Sequence, residues 1–194
     1  MLWVLFPLST ALVSLKDTQP GTLAYLATAA SYWLMAVLPL LLLLVGLMGL
    51  RAHFGAAYGW LGKVGFLVSF VALALMFFGN GVEVASLTFS RSESAVGHSA
   101  FLIGFLVLLV GSVLLGVALI RVRRDSPSRL GGILFVLALP LGVLLAIVGG
   151  TLAPGTDIGF WAAITVPYGI AWVLLGYALS SSRRAAAGQP SRVS

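Results

Sequence analysis

The chain has 194 residues, of which 60% are hydrophobic and only 8% are charged, and its mean hydropathy is +1.12. A soluble domain carries about 25% charged residues, so this chain cannot cover itself with polar surface in water. The absence of cysteine excludes disulfides, thiolate zinc sites, Cys-ligated iron–sulfur clusters and covalently attached c-type haem. The net charge of +6 is not accompanied by the interleaved aromatics of a nucleic-acid surface, so we expect no nucleic-acid partner.

Continuous apolar runs of about 20 residues, without the alternation of barrel strands, predict membrane-spanning helices. We therefore predict an all-α, polytopic transmembrane bundle of about six spans, in one domain over residues 1–180, with the lipid bilayer as its first partner. The predicted spans are residues 1–15, 22–50, 64–90, 100–120, 130–150 and 158–179. Pro39 predicts a kink in the second span. Residues 181–194 are rich in Ser, Ala and Arg and are predicted to form a flexible basic tail.

The first predicted span, Met1–Leu15, is short. At about 1.5 Å per residue it reaches roughly 22 Å, less than the ~30 Å hydrocarbon core, and Pro7 interrupts it. It lacks the basic start and the cleavage site of a secretory signal peptide. We favour a short span, with an interfacial helix or a truncated start as the alternatives.

The orientation follows from the cations, because Lys and Arg accumulate in cytoplasmic loops. One side of the predicted bundle receives nine cations and one acid, Asp125. The other side receives two cations and four acids: Lys16, Arg91, Asp17, Glu83, Glu93 and Asp157. The nine-cation side is predicted to be cytoplasmic, and with six spans both termini lie there.

Asn80 and Glu83 form the first candidate site. They are three residues apart in the third span, so they share a helix face near its outer end. A carboxylate at membrane depth is a candidate for binding a proton, a cation or a basic ligand. The alternative is that Gly79-Asn80-Gly81 ends the helix and leaves Glu83 as a solvated loop residue.

His98 and Asp157 extend this candidate ligand or ion site on the outer side. They come from separate loops without HxH or HExxH spacing, so we expect no metal site. His53 and His98 lie on opposite sides of the predicted membrane and cannot ligate one haem together. Lys63 lies at the cytoplasmic edge, where it is best interpreted as a snorkelling anchor rather than a retinal-binding lysine. We accordingly expect no cofactor.

A basic loop between the fourth and fifth spans is a candidate for anionic lipid headgroups, although its charges also fix topology. Its cations are Arg121, Arg123, Arg124 and Arg129. In the fifth span, Gly142, Ala146 and Gly150 are four residues apart on one face and predict a ridge on which another helix packs closely.

Three stretches resemble a loose group of small six-helix bacterial membrane proteins with no assigned activity. They are GLMGLRAHFGAAYGWLGKVGFLVSF (Gly46–Phe70), LLGVALIRVRRDSPSRLGGILFVLALPLG (Leu114–Gly142) and GIAWVLLGYAL (Gly169–Leu179). The resemblance covers about a third of the chain, and the group has a fuller first helix than Met1–Leu15. It implies a multi-pass protein of a bacterial plasma membrane and supplies no catalytic or binding residues.

The sequence favours a non-enzymatic accessory or assembly subunit of a larger membrane complex, or a homo-oligomer, because interior polar residues are scarce. A small transporter or hydrophobic-ligand receptor, with its outward-facing polar site at Asn80 and Glu83, is the alternative. An enzyme acting on lipid or isoprenoid substrates is the third hypothesis. The motifs GxSxG, HExxH and the P-loop do not occur, so we name no catalytic residue.

Overall fold

The computed structural model of the chain describes residues 18–54, 59–122, 126–152 and 158–187, and their regular structure is all helical. The predicted first span, Met1–Leu15, lies outside the described residues. The helices are α1 (Leu23–Tyr32), a π-helical turn (Trp33–Val37), α2 (Leu38–Phe54), α3 (Gly59–Ser90), α4 (Ala95–Val122), α5 (Ser126–Leu152) and α6 (Ile158–Ala187).

Four of these helical stretches are long and apolar enough to cross a membrane. They are Leu23–His53, Gly59–Ser90, Ala95–Val122 and Pro127–Leu152. The longest, α3, has 32 residues and extends about 48 Å at the usual rise, well beyond the ~30 Å hydrocarbon core. The predicted all-helical architecture is therefore confirmed for the described residues, which include four helical stretches that could cross a membrane.

The helices are longer than the sequence predicts. Helix α4 begins at Ala95 rather than at residue 100, because Ser94 supplies an N-cap: its Oγ accepts a hydrogen bond from the Gly97 main-chain N–H at 3.1 Å. Helix α6 continues to Ala187 rather than ending at residue 179. Alanine is the strongest helix former, and three alanines close this helix, Ala185–Ala187. The last residues, 188–194, lie outside the described part of the chain.

Helix α1 continues into α2 through the π-helical turn that precedes Pro39. In this turn the Leu38 N–H donates to the Trp33 carbonyl, five residues earlier. Proline has no N–H, so a regular α-helix would leave the Met35 carbonyl without its usual donor. The widened turn lies where the sequence predicts a kink.

Small residues at seven-residue spacing bring α3 and α4 together. On α4 these are Gly97, Gly104 and Gly111, and all three are buried. A Cβ built on Gly104 would lie 2.9 Å from the Ala72 carbonyl oxygen, and one on Gly111 would lie 2.7 Å from the Ser69 nitrogen. A seven-residue repeat keeps one helix face against its partner along a left-handed pair. At its Gly97 end the seam reaches the candidate polar residues, because a Cβ on Gly97 would lie 2.8 Å from the Glu83 nitrogen.

Candidate functional site

Asn80 lies inside the bundle rather than at the mouth of a cavity. Its side chain is buried, with 7% of its surface exposed. The Nδ2 group donates a hydrogen bond of 3.0 Å to the main-chain carbonyl of Ala36, within the π-helical turn. The amide of α3 therefore ties that helix to the irregular turn ahead of Pro39.

Glu83 is half-buried on the last turns of α3, which continues to Ser90 instead of ending at Gly81. Its Oε2 accepts a hydrogen bond of 3.0 Å from the Ser94 main-chain N–H. The N-terminus of a helix carries partial positive charge, so a carboxylate stabilises it there. Glu83 thus joins the Ser94 side chain in capping α4. The alternative interpretation, in which Glu83 is a solvated loop residue after the end of the helix, does not describe its position.

The two residues share one helix face, as their spacing predicts, yet they engage different partners. Asn80 faces the turn before α2, whereas Glu83 faces the start of α4. Asn80 and Glu83 line neither the cavity beside Arg51 and Lys63 nor the smaller cavity beside Tyr168, as far as the described residues show. What this pair can do chemically, as arranged, is to hold three helical segments together by hydrogen bonds.

His98 is exposed in the second turn of α4, and its main-chain N–H donates to the Ser94 carbonyl at 2.9 Å. Asp157, the other outer candidate, lies outside the described residues. Within the described ranges no group of three or more His, Asp or Glu side chains is positioned to hold a metal ion.

Of the basic-loop cations, Arg121 at the end of α4 and Arg129 on the first turn of α5 are exposed. Arg123 and Arg124 lie outside the described residues, so the structure does not bring the four together as one site.

The predicted small-residue ridge on α5 packs against α6 in part. A Cβ on Gly142 would lie 2.9 Å from the Ala163 carbonyl, and one on Gly159 would lie 2.8 Å from the Ala146 carbonyl. Gly150 is exposed, and a Cβ there would meet nothing within 4 Å. The Gly150 backbone still lies against α6, since a Cβ on Gly159 would lie 2.8 Å from the Gly150 nitrogen, and Gly149 also packs directly against Gly159.

A buried polar pair that sequence reasoning missed joins α4 to α6. The hydroxyls of Ser112 and Tyr168 are 3.1 Å apart, and Tyr168 is fully buried. Phe105 and Phe135 surround the Tyr168 ring, with ring centroids 6.2 Å away in both cases. The signal was present, because Tyr168 lies at the centre of a predicted span, whereas membrane tyrosines concentrate at its ends.

Comparison of the chain with protein-family models, with curated proteins and with solved structures finds no match.

Proposed function

We propose that this protein is a non-enzymatic accessory or assembly subunit of a larger membrane complex. The observation that supports it most directly is that Asn80 and Glu83 hold helices together through Ala36 and Ser94. A transport or receptor site built on them requires both side chains to leave these partners. We therefore expect the protein to act through the outer surface of the bundle, where it would bind a partner.

Helix α6 offers a surface that suits a partner helix. Gly176 is exposed, and a Cβ added there would meet nothing within 4 Å. Ser180 follows one turn later and is also exposed, while Val173 and Tyr177 flank the pair with 45% and 63% of their surfaces outward. Small residues four apart on an outward face allow two membrane helices to approach closely.

We place the protein in a bacterial plasma membrane with about six spans and both termini in the cytoplasm. The support is the distribution of charge, with nine of the eleven cations assigned to one side. A reporter fused after Arg184 should therefore report a cytoplasmic location, and an external signal would contradict this topology.

The proposal is tested by purifying the chromosomally tagged protein in a mild detergent and recording its native mass spectrum. We expect stoichiometric association with at least one other membrane protein. A lone monomer or a homo-oligomer would contradict the proposal and return attention to a transporter or receptor.

The surface on α6 is tested by Gly176→Leu, which places a large side chain where close approach is needed. Gly49→Leu is the matched control, because Gly49 is also exposed and has no neighbour within 4 Å of an added Cβ. We expect only Gly176→Leu to release the partner. Loss of the partner in the Gly49 variant alone would assign the interface to α2 instead.

A further inference from the structure

A groove opens at the end of the bundle where α2 finishes and α3 starts. Its volume is about 960 Å³, near the upper end of the roughly 300–1,000 Å³ that ligand sites occupy. Residues of three helices line it, among them Arg51 of α2, Lys63, Phe66, Leu67 and Phe70 of α3, and Leu115 of α4. The groove is distinct from Asn80 and Glu83, which lie near the other end of α3.

Among the residues that the structure describes, the charged members of this lining are Arg51 and Lys63, and both side chains are exposed. The Arg51 guanidinium lies over the Phe66 ring, 4.7 Å from its centroid. Such a cation–π contact holds the guanidinium against the groove wall while its edge remains able to donate hydrogen bonds. Among the described residues neither cation forms an ion pair with an acid.

The rest of the lining is apolar, and its residues extend away from the two cations along α3. Phe66, Leu67 and Phe70 follow Lys63 along α3, so the last of them is about 10 Å deeper at the usual rise per residue. Leu115 of α4 completes that inner part. A groove with cations at its open end and hydrocarbon along its length complements a molecule with an anionic head and an apolar chain.

We propose that this groove binds one anionic phospholipid, with its phosphate at Arg51 and Lys63 and an acyl chain along Phe66, Leu67 and Phe70. Charge complementarity selects the headgroup, and the aromatic wall accommodates the chain. By the predicted orientation this end faces the cytoplasmic leaflet, whose surface is anionic. The site differs from the basic loop, because neither Arg121 nor Arg129 is among the described residues that line the groove.

The test uses the full-length protein, which is first delipidated in detergent. The protein is then titrated either with phosphatidylglycerol or with phosphatidylcholine that carries the same acyl chains, and native mass spectrometry counts the bound lipids. We expect clear preference for the anionic lipid. In Arg51→Gln/Lys63→Gln, binding of phosphatidylglycerol should weaken roughly tenfold to thirtyfold, given the attraction of each basic residue for an anionic surface. Arg91→Gln removes a cation just beyond the far end of α3, about 40 Å from Lys63, and should change binding less than about twofold because surface electrostatics fall off within a Debye length.

The double exchange Arg51→Lys/Lys63→Arg keeps both charges and should retain the preference for the anionic lipid. Comparing it with the Gln variant distinguishes an effect of lost charge from an effect of lost folding. Equal binding of the two lipids, or equal weakening by Arg91→Gln, would overturn the proposal. A third outcome is a purified chain that binds no lipid in a way that depends on Arg51 and Lys63. That result overturns it as well.

Discussion

The Asn80 side-chain amide donates its hydrogen bond to the Ala36 carbonyl, 44 residues earlier in the chain. This bond joins α3 to the π-helical turn ahead of Pro39, where the backbone departs from regular α-helix. Irregular backbone at membrane depth is tolerated where protein groups satisfy it. The polar residue that most resembles a ligand site in the sequence is thus part of the packing of the second and third predicted spans.

Replacing Asn80 with Leu should destabilise the protein. The substitution removes the bond to Ala36, and interhelical hydrogen bonds in membranes contribute roughly 0.6–2 kcal/mol. We expect the melting temperature in detergent to fall by a few degrees, as about 1 kcal/mol shifts it by roughly 2–4 °C in chains of this size. Thr151→Ala is the control, because that exposed hydroxyl bonds only to Val148 of its own helix. An unchanged melting temperature for Asn80→Leu would show that the bond contributes no stability.

Glu83 is expected to act through the start of α4. Glu83→Ala removes the acceptor of the Ser94 N–H and should cost about 1 kcal/mol, as caps usually do. Hydrogen exchange at Ala95–Gly97 should then accelerate. Glu83→Gln keeps an acceptor oxygen but loses the favourable charge at the helix terminus, so its effect should be smaller.

The two Glu83 variants also discriminate between capping and ligand binding. A capping residue gives graded loss of stability, with Ala worse than Gln. If both variants abolish a cellular activity equally while leaving hydrogen exchange and melting unchanged, the carboxylate serves a ligand rather than the helix.

The seam between α3 and α4 gives a prediction with an internal control. A Cβ on Gly79 would lie 2.6 Å from the Phe101 nitrogen, whereas one on Gly81 would meet nothing within 4 Å. Gly79→Ala should therefore cost about 1–3 kcal/mol through overpacking against backbone. Gly81→Ala should be neutral or slightly stabilising, because Ala favours helix over Gly. Melting of the two purified variants checks this, and equal stabilities would mean that the helices separate at little cost.

The seam between α3 and α4 illustrates which parts of the fold can be predicted from the sequence. Hydropathy alone locates the long apolar helices, since lipid leaves few alternatives to a helix. The seven-residue spacing of Gly97, Gly104 and Gly111 can also be read from the sequence. The sequence does not show which helix packs against these three glycines, because glycines at similar spacing occur in several of the helices.

The candidate site was less predictable than the fold. The spacing of Asn80 and Glu83 places them on one face, but their partners, Ala36 and Ser94, contribute main-chain atoms that any residue type would offer. The groove beside Arg51 and Lys63 depends on how α2, α3 and α4 pack together, which no local pattern in the sequence records. Lys63 lies near the start of α3, and its interpretation as a snorkelling anchor does not include the aromatic wall beside it.

The Ser112–Tyr168 pair provides a prediction about coupling. Ser112→Ala leaves the Tyr168 hydroxyl buried without this partner, and an unsatisfied buried polar group costs about 1–3 kcal/mol. Tyr168→Phe removes that hydroxyl but keeps the ring against Phe105 and Phe135. It should cost less, because Ser112 Oγ also donates to the Leu109 carbonyl of its own helix at 2.9 Å.

The double variant Ser112→Ala/Tyr168→Phe should accordingly be more stable than Ser112→Ala alone, since it leaves no orphaned hydroxyl from this pair. The free energies of unfolding lost in the two single variants should add up to at least about 0.5 kcal/mol more than the loss in the double variant. This is the usual lower bound for the coupling of residues in direct contact. Chemical or thermal unfolding of the four proteins in one detergent measures the cycle. Strict additivity would mean that the two hydroxyls do not interact in the bundle, and that α4 and α6 associate there through aromatic packing alone.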